Sequence, residues 1–316
     1  MRKTCLDMVY ELAKNDERVI FIGSDLGPGT LSEMQKNMPD RFFMEGVNEA
    51  NIIGMAAGLA MDGYIPFVNT IATFITRRCY EQIAIDLCLH NLSVNLIGNG
   101  GGLVYAPLGP THLAIEDISI MRSLPNMKVF CPSDAEEMKR LMGSSLSKVG
   151  PSYIRLAKGG DKVISKESNG FKIGRSILMK KAKEILIIST GITTAQALEA
   201  SNYIEKDNIE SGIGVLHVHT IKPLDKENII KYSRNVDFVL TVEEHLESGG
   251  LGTAVGECLN DSLGKQSPEV IRLGIPDKFP DKYGSQDQLL KYYGLDSKSI
   301  SKVITNLLGR ISIKAA

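Results

Sequence analysis

RFFMEGVNEANIIGMAAGLAMDG, residues 41–63, decides how this chain is read. Glu49 opens a helical stretch of small and apolar residues. Val47, Ile52, Ile53, Met55, Ala56, Leu59 and Ala60 leave it almost no polar face, so the pattern predicts a buried helix. A carboxylate in the first turn of a buried helix needs a partner, because desolvation disfavours its charged form. An acid that merely complements the helix dipole is the simpler reading. The surrounding sequence decides between them.

Outward from this helix, short β-branched runs alternate with helical stretches. Residues 18–23, 66–69, 93–98, 128–131 and 152–155 read as strands, and 31–37, 49–61, 74–89, 115–122 and 135–147 as helices. That is the rhythm of a mostly parallel, doubly wound α/β sheet. A polar, Gly-marked connection follows over residues 158–183. A second rhythm then begins, with strands at 184–190, 212–217 and 238–242 and helices at 193–205, 226–232, 250–261 and 297–308. The expected organisation is two doubly wound α/β domains, residues 1–165 and a smaller one over 180–316.

Composition narrows the class. At 316 residues the chain is long enough for two cores. Its net charge of −1 gives no electrostatic argument for nucleic acid or an anionic membrane. No apolar run approaches the roughly 18 residues of a membrane span, and the amphipathic N-terminus, with Leu6, Met8, Val9 and Leu12, lacks a signal-peptide core. Cys5, Cys79, Cys88, Cys131 and Cys258 are odd in number and fit no zinc spacing. Buried free thiols in a reducing cytoplasm are expected. His217 and His219 alternate in a strand-like run without further ligands, so no metal site is expected there.

The motifs in order resemble the transketolase family of thiamine diphosphate enzymes. Gly46-Val47-Asn48-Glu49 matches the family's Gly-x-x-Glu, and the likeness continues through Pro66–Phe74, Gly109-Pro110-Thr111-His112, Met121–Asn126, Lys222-Pro223-Leu224-Asp225, Glu243-Glu244-His245 and Gly249–Gly252. It covers nearly the whole chain. The resemblance implies a pyrimidine-binding domain followed by a transketolase C-terminal domain. It also implies that Glu49 bonds a ring nitrogen of the aminopyrimidine and activates the cofactor. The family's Gly-Asp-Gly segment, which holds the diphosphate through a metal, does not occur in this sequence. The chain therefore looks like the C-terminal half of a transketolase made as a natural, separate subunit. A partner subunit would hold the Mg or Ca and the diphosphate, with two copies of each chain. The Gly98-Asn99-Gly100-Gly101-Gly102 loop lacks the features of a P-loop or a dinucleotide fingerprint, and by resemblance lies over the cofactor.

By the same resemblance, Phe74 stacks on the aminopyrimidine, with Ile71 and Arg77 lining its pocket. Asp25 and Leu26 follow the first strand, where doubly wound sheets place ligand loops. Arg77 has a competing role as a surface or interface cation. His112 lies by the substrate hydroxyls and the reactive carbon, where imidazole gives or takes a proton near neutral pH. Glu116 either orients it or caps the next helix, and His245 reads as structural. The basic residues that bind the sugar phosphate fall on Glu33, Gly100 and Lys158, and only Lys158 remains basic. Leu108 stands where the family has an acid and Leu113 where it commonly has Gln, so the approach to His112 should be more apolar. These departures point away from ordinary pentose-phosphate exchange. The expected reaction moves a two-carbon ketol unit from a ketose to an aldose-type acceptor, such as a nucleotide-linked or modified sugar. The beta subunit of a 2-oxo acid dehydrogenase's decarboxylating component and a deoxyxylulose-phosphate synthase share this half. A non-catalytic scaffold is the reading from another class, against which the retention of Glu49, Phe74 and His112 argues.

Overall fold

The computed structural model describes residues 1–24, 29–206 and 212–315. In chain order the strands are β1 (Val19–Gly23), β2 (Phe42–Met44), β3 (Ile65–Ile71), β4 (Asn95–Asn99), β5 (Lys128–Phe130) and β6 (Ser152–Leu156). They continue with β7 (Ile177–Lys180), β8 (Ile185–Ser189), β9 (Ile213–His217), β10 (Thr220–Lys222), β11 (Phe238–Leu246) and β12 (Glu269–Ile275). Among the described residues they form a seven-stranded sheet, ordered β10-β5-β6-β4-β3-β1-β2, and a five-stranded sheet, ordered β12-β11-β8-β9-β7. Within each sheet all pairings are parallel except those of β10 with β5 and of β7 with β9. The chain is thus two doubly wound α/β units. The runs VIFIG of β1 and ILIIS of β8 are buried at every position, as strands covered on both faces must be.

The two sheets are laced together. β10 comes from beyond the Gly-marked connection yet joins the edge of the first sheet, a pairing too short to stand out in the sequence. One apolar cluster runs from Ile52, Ile53 and Val129 of the first unit to Leu186, Leu216 and Val239 of the second. Lys222 Nζ donates to the carbonyls of Arg122 (2.9 Å) and Leu124 (2.5 Å), and Arg122 donates to the Gly249 carbonyl at 3.0 Å. Three separate sequence motifs therefore meet in one joint.

Two expectations need correction. The stretch 74–89 is not one helix. It divides into Ala72–Arg77, Tyr80–Gln82 and a π-helical segment Ile83–Leu89. π turns keep helical side-chain spacing closely enough that periodicity cannot reveal them. The helix Glu49–Met61 buries only one face, with Ile52, Ile53, Ala56 and Ala57 inward. Val47 just before it and Met61 at its end are 70% and 57% exposed, and Ala50, Asn51, Gly54 and Gly58 are exposed too. A helix without a polar face predicts burial, and this chain covers only half of it. The five cysteines are buried free thiols. Among the described residues no helix is long and apolar enough to cross a membrane.

Candidate functional site

Glu49 begins its helix after Asn48, and its carboxylate is 5% exposed. Arg78 Nη1 donates to Oε2 at 3.1 Å, while Oε1 is buried with no hydrogen-bond partner. The Arg78 guanidinium lies 3.9 Å from the centre of the Phe74 ring, a cation–π contact on one ring face. The Phe74 ring in turn meets His112 edge-on, with centroids 5.2 Å apart. Glu49, Arg78, Phe74 and His112 thus form one contiguous chain of contacts.

Each is aimed by its backbone. Phe74 sits in the first turn after β3, the C-terminal strand end where α/β sheets place ligands. His112 ends a 3₁₀ turn, Pro110–His112, entered through Gly109 at φ +78°, and its Nδ1 lies 2.9 Å from Thr111 Oγ1. The glycine loop lies beneath that turn. The N–H groups of Gly100 and Gly101 both donate to the Leu156 carbonyl, at 3.1 and 2.9 Å. Gly102 and Ala114 exchange two backbone bonds, of 2.8 and 3.2 Å. Gly100 has φ +74°, and a side chain there would overlap the Tyr105 ring, whose edge faces His112 at 6.5 Å. The missing charge at position 100 therefore has a steric cause.

The remaining expected residues separate. Ile71 is half-buried at the end of β3, beside Phe74 in sequence. Arg77 pairs with Glu116 and also donates to the carbonyl of Leu113, the residue after His112, at 3.0 Å. Glu116 is thereby committed to Arg77, and it does not orient His112. Asp25 and Leu26 lie outside the described residues. Lys158 is exposed and lines a cleft of about 340 Å³ with Lys162, Gln196, Glu199 and Gln286, a cleft whose lining includes none of Glu49, Phe74 and His112. Glu33 is exposed on a short helix. Leu108 is 52% exposed, but Leu113 is fully buried in the second unit's core, so it does not make the approach to His112 more apolar. The buried His245 accepts from the Ser119 N–H at 3.3 Å, and its Nδ1 lies 2.8 Å from the Leu246 carbonyl.

Arg78 was not anticipated. Spacing could not have singled it out: residues three and four apart both share a helix face, so Arg77 and Arg78 are equal candidates to meet Phe74. Three further buried polar atoms lack partners near these strand ends: Asn69 Nδ2, Asn99 Oδ1 and Thr73 Oγ1. Asn99 donates to Asn69 at 2.9 Å, which leaves one donor and one acceptor over. With Glu49 Oε1, these atoms leave both donors and acceptors open at one set of strand ends.

Residues 1–160 match the family described as "Transketolase, pyrimidine binding domain", and residues 174–300 match "Transketolase, C-terminal domain". The chain belongs to the transketolase family. Membership implies dependence on thiamine diphosphate. Among curated relatives, the chain is 35% identical over 302 residues to the 6-deoxy-6-sulfo-D-fructose transketolase subunit SqwH of Clostridium sp. (strain MSTE9), covering 95% of this chain and 92% of that one. It is 35% identical over 297 residues to a 1-deoxy-D-xylulose-5-phosphate synthase of Caldanaerobacter subterraneus subsp. tengcongensis, covering 93% of this chain but 46% of that longer protein. A solved structure described as a split gene transketolase, inactive beta4 tetramer, superposes with a TM-score of 0.86 at 33% identity, covering 98% of this chain and 97% of that one.

Proposed function

We propose that this chain is the C-terminal subunit of a split transketolase-like enzyme, moving a two-carbon ketol unit from a ketose to an aldose-type acceptor. The observation that carries the reading is the buried Glu49 carboxylate. One of its oxygens is held by Arg78 against Phe74, and the other has no partner. The lone acceptor fits a ring nitrogen of an aminopyrimidine, and the half-exposed Phe74 ring beside it fits the pyrimidine face. Bound thiamine diphosphate supplies the electron sink that lets a carbon–carbon bond beside a carbonyl break and form. Glu49 holds and moves the proton at the pyrimidine nitrogen. Arg78, whose side chain is 50% exposed, is free to leave the Phe74 face when a pyrimidine takes it. His112, next to Phe74, gives or takes a proton at a substrate hydroxyl. Ile71 lines the same pocket.

A partner subunit is part of this reading. The sequence has no Gly-Asp-Gly segment, and among the described residues no group of three or more His, Cys, Asp and Glu stands ready for a metal. The diphosphate and its Mg or Ca then belong to the partner. The uncovered face of the helix Glu49–Met61 supports this. Its small residues are flanked by exposed Val47, Met61, Ile85 and Leu89, and an apolar patch of this kind marks a protein contact.

The acceptor is proposed to differ from the usual short sugar phosphates. Glu33 repels a dianion, Gly100 has no room for a basic side chain, and Leu108 is apolar and exposed. The relative whose name specifies a sulfo-sugar is consistent with a changed substrate end. The test is kcat/KM of the complex co-purified with its native partner, comparing a xylulose 5-phosphate/ribose 5-phosphate pair with nucleotide-linked or unphosphorylated sugars. A strong preference for the pentose phosphates contradicts this substrate class.

A further inference from the structure

Glu244 lies on β11 and is 3% exposed, in the second unit. Its Oε1 accepts from the Leu103 N–H of the first unit at 2.9 Å and from Gln286 Nε2 at 2.7 Å. Its carboxyl fills the space that a side chain on Gly102, at φ +67°, would occupy. Gly102 is bonded to Ala114 in both directions. Arg155 closes a second route, donating through Nη2 to the carbonyls of Ala114 (3.0 Å) and Glu244 (2.8 Å). Tyr105 and His112 lie between the two tied points, Leu103 and Ala114.

We propose that Glu244 is a positioning residue, a latch that holds the glycine loop, and with it the His112 turn, onto the second sheet and the helix Gln286–Tyr292. The catalytic consequence rests on the reading that His112 meets substrate. The latch itself does not.

The groups facing the carboxyl are Arg155 on β6, Asp117 on the helix Asp117–Ser123, Gln286, and the Leu103 N–H. Burial pushes the carboxyl up to about 7, against the pull of Arg155, Gln286 and Leu103, with Asp117 adding to the rise. Two donors converging on Oε1 suit a neutral carboxyl whose carbonyl oxygen takes both. Releasing the loop hydrates Glu244 and returns it to the usual carboxylate range. Linkage then fixes the sign: the latch is strongest below about pH 4.5 and weakens as pH rises through 7.

Hydrogen exchange on the full chain tests this without any turnover. Corrected for intrinsic rates, exchange across residues 100–114 should quicken roughly tenfold between pH 6 and 8.5 in the wild type. Glu244→Ala should quicken it roughly tenfold or more at pH 6, since it strands the Leu103 donor. Glu244→Gln offers the same carbonyl oxygen and cannot ionise when the loop opens, so it should exchange more slowly than the wild type at pH 6, by roughly thirtyfold, and lose the pH dependence. Should Glu244→Ala not fold, Gln286→Ala, at a half-buried position, should still quicken exchange several-fold. In the complex with its partner, Glu244→Ala should lower kcat/KM for the sugars and leave cofactor affinity unchanged, with Glu244→Gln close to wild type at pH 6. Unchanged exchange in both truncations, pH dependence persisting in Glu244→Gln, or loosened exchange with unchanged kcat/KM overturns the proposal. Absence of ketol transfer by the wild-type complex would instead sink the functional reading, and the exchange result would still judge the latch.

Discussion

Glu49 is an expensive residue for the isolated chain. Its carboxylate is buried, and only a half-exposed arginine compensates it. Such groups cost stability and persist where function needs them. Glu49→Gln should therefore leave the Tm of the cofactor-free chain unchanged or higher, while turnover in the complex falls at least ~100-fold, the lower range for a lost proton-transfer group. A large fall in Tm would show that the acid serves folding instead. Arg78→Met should be the worse single change for stability, because it strands the acid. In a double-mutant cycle with Glu49→Gln the coupling should be modest, roughly 1 kcal/mol or less, since water screens the outer partner. Gly100→Ala needs a positive φ and overlaps Tyr105, so it should cost about 1–3 kcal/mol, read as a fall in Tm. The acid and the ring were singled out by the family resemblance, since the local patterns, an apolar run around a lone Glu and a Phe after a strand, suit a helix-dipole acid and a core ring equally well. Arg78 was obscured by its neighbour Arg77. One residue of helical rotation separates a contact with Glu49 from a contact with Glu116, and only packing fixes that angle.

The elements that periodicity caught are those whose apolar faces repeat, such as the helices Glu49–Met61 and Leu251–Leu263 and the buried strands β1 and β8. It missed β2, β7, β10 and β12: β7 lies inside the stretch read as a polar connection, β12 carries mostly exposed and half-buried residues at a sheet edge, and β2 and β10, three residues each, exist only because a neighbouring strand offers them hydrogen bonds. β9 shows what such tertiary pairing does. Its His217 lies 2.8 Å from Glu137 on the helix Ala135–Gly143, and the adjacent His219 stacks on Phe171 at 4.4 Å. Burial alone would raise Glu137, but His217, His219 and the Ser133 N–H outweigh it and hold the acid at about 2. Burial chiefly lowers His219 to about 4. Both shifts have the same sign. The folded chain binds fewer protons than the unfolded one, so stability is lost as pH falls, from about 6.5 through 4 for His219 and from about 4.5 through 2 for Glu137. Denaturant midpoints measured from pH 7 to 4 should decline in the wild type and decline less in His219→Phe, which keeps the stack on Phe171. Equal slopes would contradict the buried, neutral state of His219.

The two-unit plan follows from alternation and the Gly-marked connection, yet the joint between the units was invisible until the chain folded. The motifs Arg122–Asn126, Lys222–Asp225 and Gly249–Gly252 are far apart in sequence, and their contact is made by two long cationic side chains donating to backbone carbonyls, which no local pattern announces. A partner leaves its trace in what stays uncovered. Side chains added at Gly54 or Gly58 would meet nothing within 4 Å in this chain. Gly58→Arg should therefore leave folding intact, with Tm equal or slightly higher because glycine is about 1 kcal/mol poorer than ordinary residues inside a helix. The same substitution should abolish assembly with the diphosphate-binding subunit, seen as loss of the complex on size exclusion. The most direct measurement is ketol transfer from a ketose donor, with thiamine diphosphate and Mg, by this chain alone, by this chain with its co-purified partner, and by the Glu49→Ala chain with that partner. The expected result is no turnover alone, turnover in the wild-type complex, and at least a ~100-fold loss in the variant complex. Turnover by the single chain, or near-wild-type turnover without Glu49, would contradict it.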